Sequence, residues 1–310
     1  MNINSTFSSV IGIQHLVFFE ITIGIIANMF LLILHVLTFL LEHKSKPIDL
    51  TIGHLALIHI VMLITVSFIA IDTFGYWTFK DVISCTSIMY LNSLMRDLSI
   101  CSTCLLSVLQ AITVSPRSSC VAKLKRKSLH HNLYGFLFFW VFNMFNSGRI
   151  LISTVATPTV TSHGLIFLSK SCSLLPINPF LKYIFFSLMT FNYVSCIGLM
   201  VLSSGYMVIL LCKHKKQSQY LHSTSLSPKA SPEKRAIWTI LLLMSFFIIF
   251  YSLDCVFHSM YSIMRSHDQI RHCVLMLVGN GYATICPLVL ISSERQFIKS
   301  FIFIFRIDSK

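Results

Sequence analysis

Seven stretches of this chain are apolar enough, for about 20 residues each, to fill the hydrocarbon core of a bilayer. They lie near 17–41, 50–71, 87–113, 133–153, 182–211, 236–258 and 273–292. Runs this long and this continuously apolar read as membrane helices. The expected fold is an all-α membrane protein, a single seven-transmembrane helix bundle over residues 1–310. The first run is too long for a signal-peptide core and lacks a basic leader, so it reads as a retained span. Composition agrees, with 55% hydrophobic and only 11% charged residues, where soluble domains carry roughly a quarter charged.

The net charge of +13 carries information through its placement. Alternate loops hold Lys44 and Lys46, then Arg117, Lys123, Lys125, Arg126 and Lys127, then Lys213, Lys215, Lys216, Lys229, Lys234 and Arg235. The C-terminal tail adds Arg295, Lys299, Arg306 and Lys310. The opposite side has only Lys80, Lys170, Lys182, Arg265 and Arg271. Seventeen against five places the N-terminus outside and the C-terminus inside by the positive-inside rule. The basic surface then attracts anionic inner-leaflet lipid, and nucleic acid is not expected as a partner.

The third span, inside Cys85 to Arg117, has a distinctive pattern. Asn92, Arg96, Ser99, Thr103, Ser107 and Gln110 recur every three or four residues and share one helical face. Such a stripe looks into the bundle. Arg96 lies about 16 Å along the helix from Cys85 at 1.5 Å per residue, with Asp97 beside it. Neighbours in sequence do not face each other on a helix, so the two are expected to find partners on different helices. Charges at mid-membrane are site hypotheses by default. Asn92, Arg96, Asp254 on the sixth span and Asn280 on the seventh are the candidate ligand-binding residues of an outward-facing polar cavity. A structural network tying helices together is the competing account of Arg96, Asp97 and Arg149.

Most of the ten cysteines, including Cys101, Cys104, Cys196, Cys255 and Cys286, lie within spans, where a thiol is a small packing residue. Cys85 and Cys172 fall on the outer side, where an oxidising compartment permits a bridge over the mouth of the bundle; spacing makes that pairing plausible without proving it. Asn4-Ser5-Thr6 is an N-glycosylation acceptor on the outer tail. The chain has no His-Glu-x-x-His, Gly-x-Ser-x-Gly or phosphate-cradling glycine loop. His54 and His59 stand roughly 140° apart around a helix, poor geometry for one metal ion. No catalytic residue, metal or cofactor is expected.

The architecture looks like that of a G-protein-coupled receptor, and four segments make the likeness specific. They are KPIDLTIGHLAL (Lys46 to Leu57), LLSVLQAITVSPR (Leu105 to Arg117), HSTSLSPKASPEKRA (His222 to Ala236) and YATICPLVLIS (Tyr282 to Ser292). In this order, over nearly the whole chain, they resemble the vomeronasal type-1 receptor family. The resemblance implies a pheromone receptor in the plasma membrane of sensory neurons. It further implies a small, volatile or steroid-like ligand outside and a heterotrimeric G protein of the inhibitory class inside.

Against the wider rhodopsin-like pattern, Asn28 and Trp140 fit while several switch positions depart. Leu109, Gln110 and Ala111 replace Asp-Arg-Tyr, His59 replaces the acidic sodium ligand, and Cys286-Pro287-Leu288-Val289-Leu290 replaces Asn-Pro-x-x-Tyr. Gln110, Lys213, Lys215, Lys216, Lys234 and Arg235 form the candidate G-protein contact. Pro287, the only proline within a span, is the expected kink. Ser223, Thr224, Ser225, Ser227 and Ser231 are phosphorylation candidates in a loop that is equally a solvated, serine-rich one. Gln296 to Phe305 reads as an amphipathic inner-surface helix. A bitter-taste-like receptor is the nearest alternative. A transporter, which usually shows internal repeats and broken helices, is the alternative from another class.

Overall fold

The computed structural model describes residues 3–42, 47–79, 81–115, 128–156, 166–167, 171–175, 177–221, 232–263 and 269–293. Among them are seven helices: α1 (Ile3–Glu42), α2 (Pro47–Thr73), α3 (Val82–Val114), α4 (Ser128–Ser153), α5 (Pro179–Leu221), α6 (Pro232–Ile263) and α7 (Gln269–Ser293). Each contains one of the seven expected spans and overruns it, because a helix continues into the interface after its apolar stretch has ended. Six are long and apolar enough to cross a membrane, and α6 supplies the apolar stretch Leu241–Asp254 among the described residues. Proline opens α2, α5 and α6, a first-turn position where its missing N–H costs nothing. Pro287 lies inside α7 as expected.

The serine-rich loop with Ser223, Thr224, Ser225, Ser227 and Ser231 lies outside the described residues, as does Gln296 to Phe305. The side chains of Asn4, Lys215, Lys216, Lys234 and Arg235 are also outside them, although their backbone is helical.

The bundle is apolar towards its surroundings and polar within. Phe19, Ile26, Phe138, Val141, Phe186, Phe191 and Leu202 are exposed on the helix flanks, whereas Asn28, His59, Asp97, Ser99, Asn143 and Asn146 are buried. Lipid as the outer solvent accounts for this inversion. Around the ring, α1 packs on α2 and α7, α7 on α6, and α6 on α5, while α3 packs on α2, α4 and α5. One cluster under this ring gathers Leu55, Ile100, Leu106, Met200, Met207, Phe247 and Tyr282. A second holds Val17, Ile58, Leu63, Leu94 and Leu98.

A short antiparallel sheet, not foreseen in the sequence, covers one end. Its strands β1 (Thr154–Ala156), β2 (Ile166–Phe167) and β3 (Cys172–Leu174) lie in the order β1-β3-β2. β1 pairs Thr154 with Leu174 and Ala156 with Cys172. Cys172 is disulfide-bonded to Cys85 on α3, their Cα atoms 5.9 Å apart, and both are fully buried.

Candidate functional site

The polar stripe on α3 is resolved by the fold into separate attachments. Nearest the disulfide, Asn92 donates from Nδ2 to Thr65 Oγ1 on α2 at 3.0 Å. Ser99 Oγ and His59 Nε2 on α2 lie 2.8 Å apart. Thr103 Oγ1 meets the Tyr282 hydroxyl of α7 at 3.2 Å, and Ser107 meets Ser203 of α5 at 2.6 Å. One face of a single helix thus has hydrogen-bonding partners on three others, and α3 is the hub of the bundle.

Its charged residue is the centre of the site. Arg96 donates from Nη1 to Asp254 Oδ2 on α6 at 2.9 Å, their side chains 22% and 11% exposed. Helix α7 closes on the pair through a residue without a side chain: a Cβ on Gly279 would stand 3.1 Å from both Arg96 Nη2 and Asp254 Oδ1. Three helices therefore meet at one ion pair. Removing one partner of a pair held in so little water costs heavily, because the other charge is left uncompensated. Just beyond it, Phe247, Tyr251 and Tyr282 form an aromatic triangle with ring centroids 4.3 to 5.9 Å apart.

Asp97 takes the other flank. It accepts from the Tyr193 hydroxyl of α5 at 2.7 Å, and from Asn146 Nδ2 and Ser147 Oγ of α4, each at 3.4 Å. Arg149 of α4 lies close enough to attract the same carboxylate. As helical geometry requires, Arg96 and Asp97 bind different neighbours. Both charges tie α3 to its neighbours, the Arg96–Asp254 pair partly exposed and Asp97 buried.

Of the four candidate ligand residues, the structure joins Arg96 to Asp254 and sets Asn92 one turn away on α3. Asn280 is different. It is 2% exposed and donates to Met276 O of its own helix at 2.6 Å, so the contact that α7 makes with the ion pair is through Gly279. Sequence reasoning missed Gly279 and also Tyr193, whose neighbours Asn192 and Cys196 pack with Cys101 and Asn143. At the opposite end, Gln110 is half-buried and Lys213 exposed.

Asn28 donates from Nδ2 to Gly24 O and to Ala283 O of α7, at 2.8 and 2.9 Å. Trp140 Nε1 donates to His54 Nε2 at 3.0 Å. These two positions follow the wider receptor pattern, and each ties its helix to a neighbour.

A family profile described as "Vomeronasal organ pheromone receptor family" matches residues 11–303. The chain belongs to that family. Vomeronasal type-1 receptor 90 of Rattus norvegicus is 48% identical over 299 residues, covering 96% of this chain and 96% of the relative. Vomeronasal type-1 receptor 46 of Mus musculus is 46% identical over 305 residues, with 97% of each chain covered. Vomeronasal type-1 receptor 51 of Mus musculus is 44% identical over 298 residues, 96% of this chain and 93% of the relative. As a member of the vomeronasal type-1 receptor family the chain is a multi-pass membrane protein and a receptor rather than an enzyme.

Proposed function

We propose that this vomeronasal type-1 receptor is a pheromone receptor of the cell membrane that binds a small extracellular cue at the disulfide end of the bundle. In this reading the N-terminus is outside and the C-terminus inside, as the distribution of lysine and arginine supports. The observation that carries the reading is the Arg96–Asp254 pair, set between three helices at 2.9 Å, with the Arg96 side chain 22% exposed. A ligand shifts a receptor only by binding one arrangement of helices better than another. Contact with Arg96, Asp254 or Asn92 would do so, because each already holds two helices together.

The responding partner is a heterotrimeric G protein, of the inhibitory class on the family's precedent. Gln110, Lys213, Lys215, Lys216, Lys234 and Arg235 are its candidate contacts. Lipid is the other partner: the outward face of α5 carries a shallow groove lined by Phe186, Thr190, Phe191 and Val194, suited to an acyl chain. Asn4 is the glycosylation candidate on the outer tail, and Asn280, next to Gly279 on α7, is the fourth candidate ligand residue.

Expression with a promiscuous G protein, followed by calcium imaging against urinary and steroid fractions, tests the proposal. A dose-dependent response that disappears in Arg96→Ala at equal surface expression is expected. A full response in that variant removes Arg96 from the binding site. An N-terminal epitope tag read on the cytosolic side of intact cells would overturn the orientation.

A further inference from the structure

The hairpin over the disulfide end is fixed at two points, and only one of them is covalent. Cys172 is bonded to Cys85 on α3. One residue earlier, Ser171 donates its backbone N–H to Asp72 Oδ2 at 3.0 Å and its hydroxyl to Asp72 Oδ1 at 2.6 Å. The same Oδ1 accepts the Phe79 N–H at 3.2 Å. Asp72 is the last residue but one of α2, and it is fully buried. A buried carboxyl group that accepts these three donors has its hydrogen-bonding capacity used rather than stranded, and the bond from the Ser171 hydroxyl is short. Gly75, at φ 81°, adopts the left-handed conformation that glycine tolerates. There the chain leaves α2 and turns, so that Phe79 returns to Asp72.

The consequence reaches beyond one loop. β3 begins at Cys172, and its partner β1 runs directly out of α4. Leu175 N–H also donates to Ser153 O at the end of α4, at 2.7 Å. The five residues Ser171 to Leu175 thereby bind the ends of α2, α3 and α4 into one body. Across the mouth stand α6 and α7, which meet that body at Arg96 through Asp254 and Gly279.

We propose that Asp72 is a positioning residue for the ligand mouth: its carboxylate clasps Ser171 to α2 and holds the hairpin in place beside, and independently of, the Cys85–Cys172 bridge. The proposal rests on the reading that the cue enters at the disulfide end. A carboxylate suits the task because both oxygens accept, whereas an amide keeps one acceptor and presents an NH2 group to the same donors.

Hydrogen–deuterium exchange on the purified, disulfide-bonded chain in detergent reads the clasp without any ligand. Asp72→Ala is expected to speed exchange across Ser171 to Leu175 by about tenfold or more, the scale of a lost hydrogen bond to a charged acceptor. Peptides from α3 and α7 should exchange as before. Asp72→Asn should fall between, and Ser171→Ala, which removes one bond and keeps the carboxylate, provides a milder variant should Asp72→Ala fail to fold. Unchanged exchange in the hairpin overturns the proposal, and so does equal acceleration throughout the bundle.

In cells, a urinary fraction that activates the wild type should need an about tenfold higher dose in Asp72→Ala, with surface expression and maximal response retained. An unchanged half-maximal dose overturns the positioning role. If no fraction activates the wild type, the receptor reading fails, while the exchange measurement still decides the clasp.

Discussion

Arg96 and Asp97 are consecutive on α3, yet they hold different flanks of the bundle. Arg96 is 2.9 Å from Asp254 of α6, and Asp97 is 2.7 Å from the Tyr193 hydroxyl of α5. Both sit at mid-helix, where an unpaired charge is costly. Two opposite charges side by side, rather than paired with each other, let one turn of α3 organise four neighbouring helices.

Asp97 should therefore matter more to folding than to ligand recognition. It is 2% exposed, and its removal strands the Tyr193 hydroxyl, the Asn146 amide and the Ser147 hydroxyl that donate to it. Asp97→Ala is expected to lower stability by about 3–5 kcal/mol, the range for breaking a buried charged network. Loss of surface expression, or a large fall in thermal midpoint in detergent, would register it. Asp97→Asn, which keeps an acceptor for Tyr193, should cost clearly less.

Arg96 and Asp254 should behave as one unit. Arg96→Ala leaves a carboxylate without its ion-pair partner, and Asp254→Ala leaves a guanidinium so. Each is expected to cost about 3 kcal/mol, the low end for buried pairs, because the Arg96 side chain keeps 22% exposure. The double variant should cost less than the two losses added, with a coupling of about 1–3 kcal/mol. Thermal midpoints of the wild type and three variants complete the cycle; additive losses would mean that the two charges do not interact.

How much of this was legible beforehand depended on whether a side chain announced itself. The seven helices were visible because each span is a long, predominantly apolar run. The divergence of Arg96 and Asp97 followed from the roughly 100° that separates consecutive helical residues. Cys85 and Cys172 stood out because they lay beyond the spans on the side expected to be outside. Gly279 was invisible, since a residue that acts by having no side chain leaves no chemical signal. Asn280, polar and one position away, drew attention to itself while its Nδ2 donates within α7, to Met276 O. The Asp72–Ser171 contact spans 99 residues, and the strands beside it are two or three residues long, too short for an alternating pattern.

Glycines on different faces of the helices should respond oppositely to the same substitution. A Cβ on Gly24 would lie 2.7 Å from Leu63 Cδ1 and 2.7 Å from Thr284 Oγ1, where α1 meets α2 and α7. Leu63 is fully buried and has little room to retreat, so Gly24→Ala is expected to destabilise by about 1–3 kcal/mol through overpacking. Gly205 on α5 has nothing within 4 Å of its would-be Cβ. Gly205→Ala should be neutral or stabilise by about 0.5–1 kcal/mol, the helix preference for alanine. Thermal midpoints of the two single variants separate the cases, and a loss of stability at Gly205 would mean that its face is occupied.

Gly279 sets a finer test, because its neighbours are the charged atoms themselves. At 3.1 Å from Arg96 Nη2 and Asp254 Oδ1, an added methyl requires the pair to give by a few tenths of an ångström. Both side chains end in movable groups, so the fold should tolerate Gly279→Ala with a loss of about 1 kcal/mol, at the low end of the usual range for overpacking a rigid core. The ion pair, however, would be displaced away from α7. A ligand that reads this pair should therefore respond with an altered half-maximal dose while surface expression stays at the wild-type level. Gly279→Ala compared with Gly205→Ala in the same calcium assay isolates that effect. If both variants match the wild type in dose and maximum, the contact between α7 and the pair plays no part in signalling.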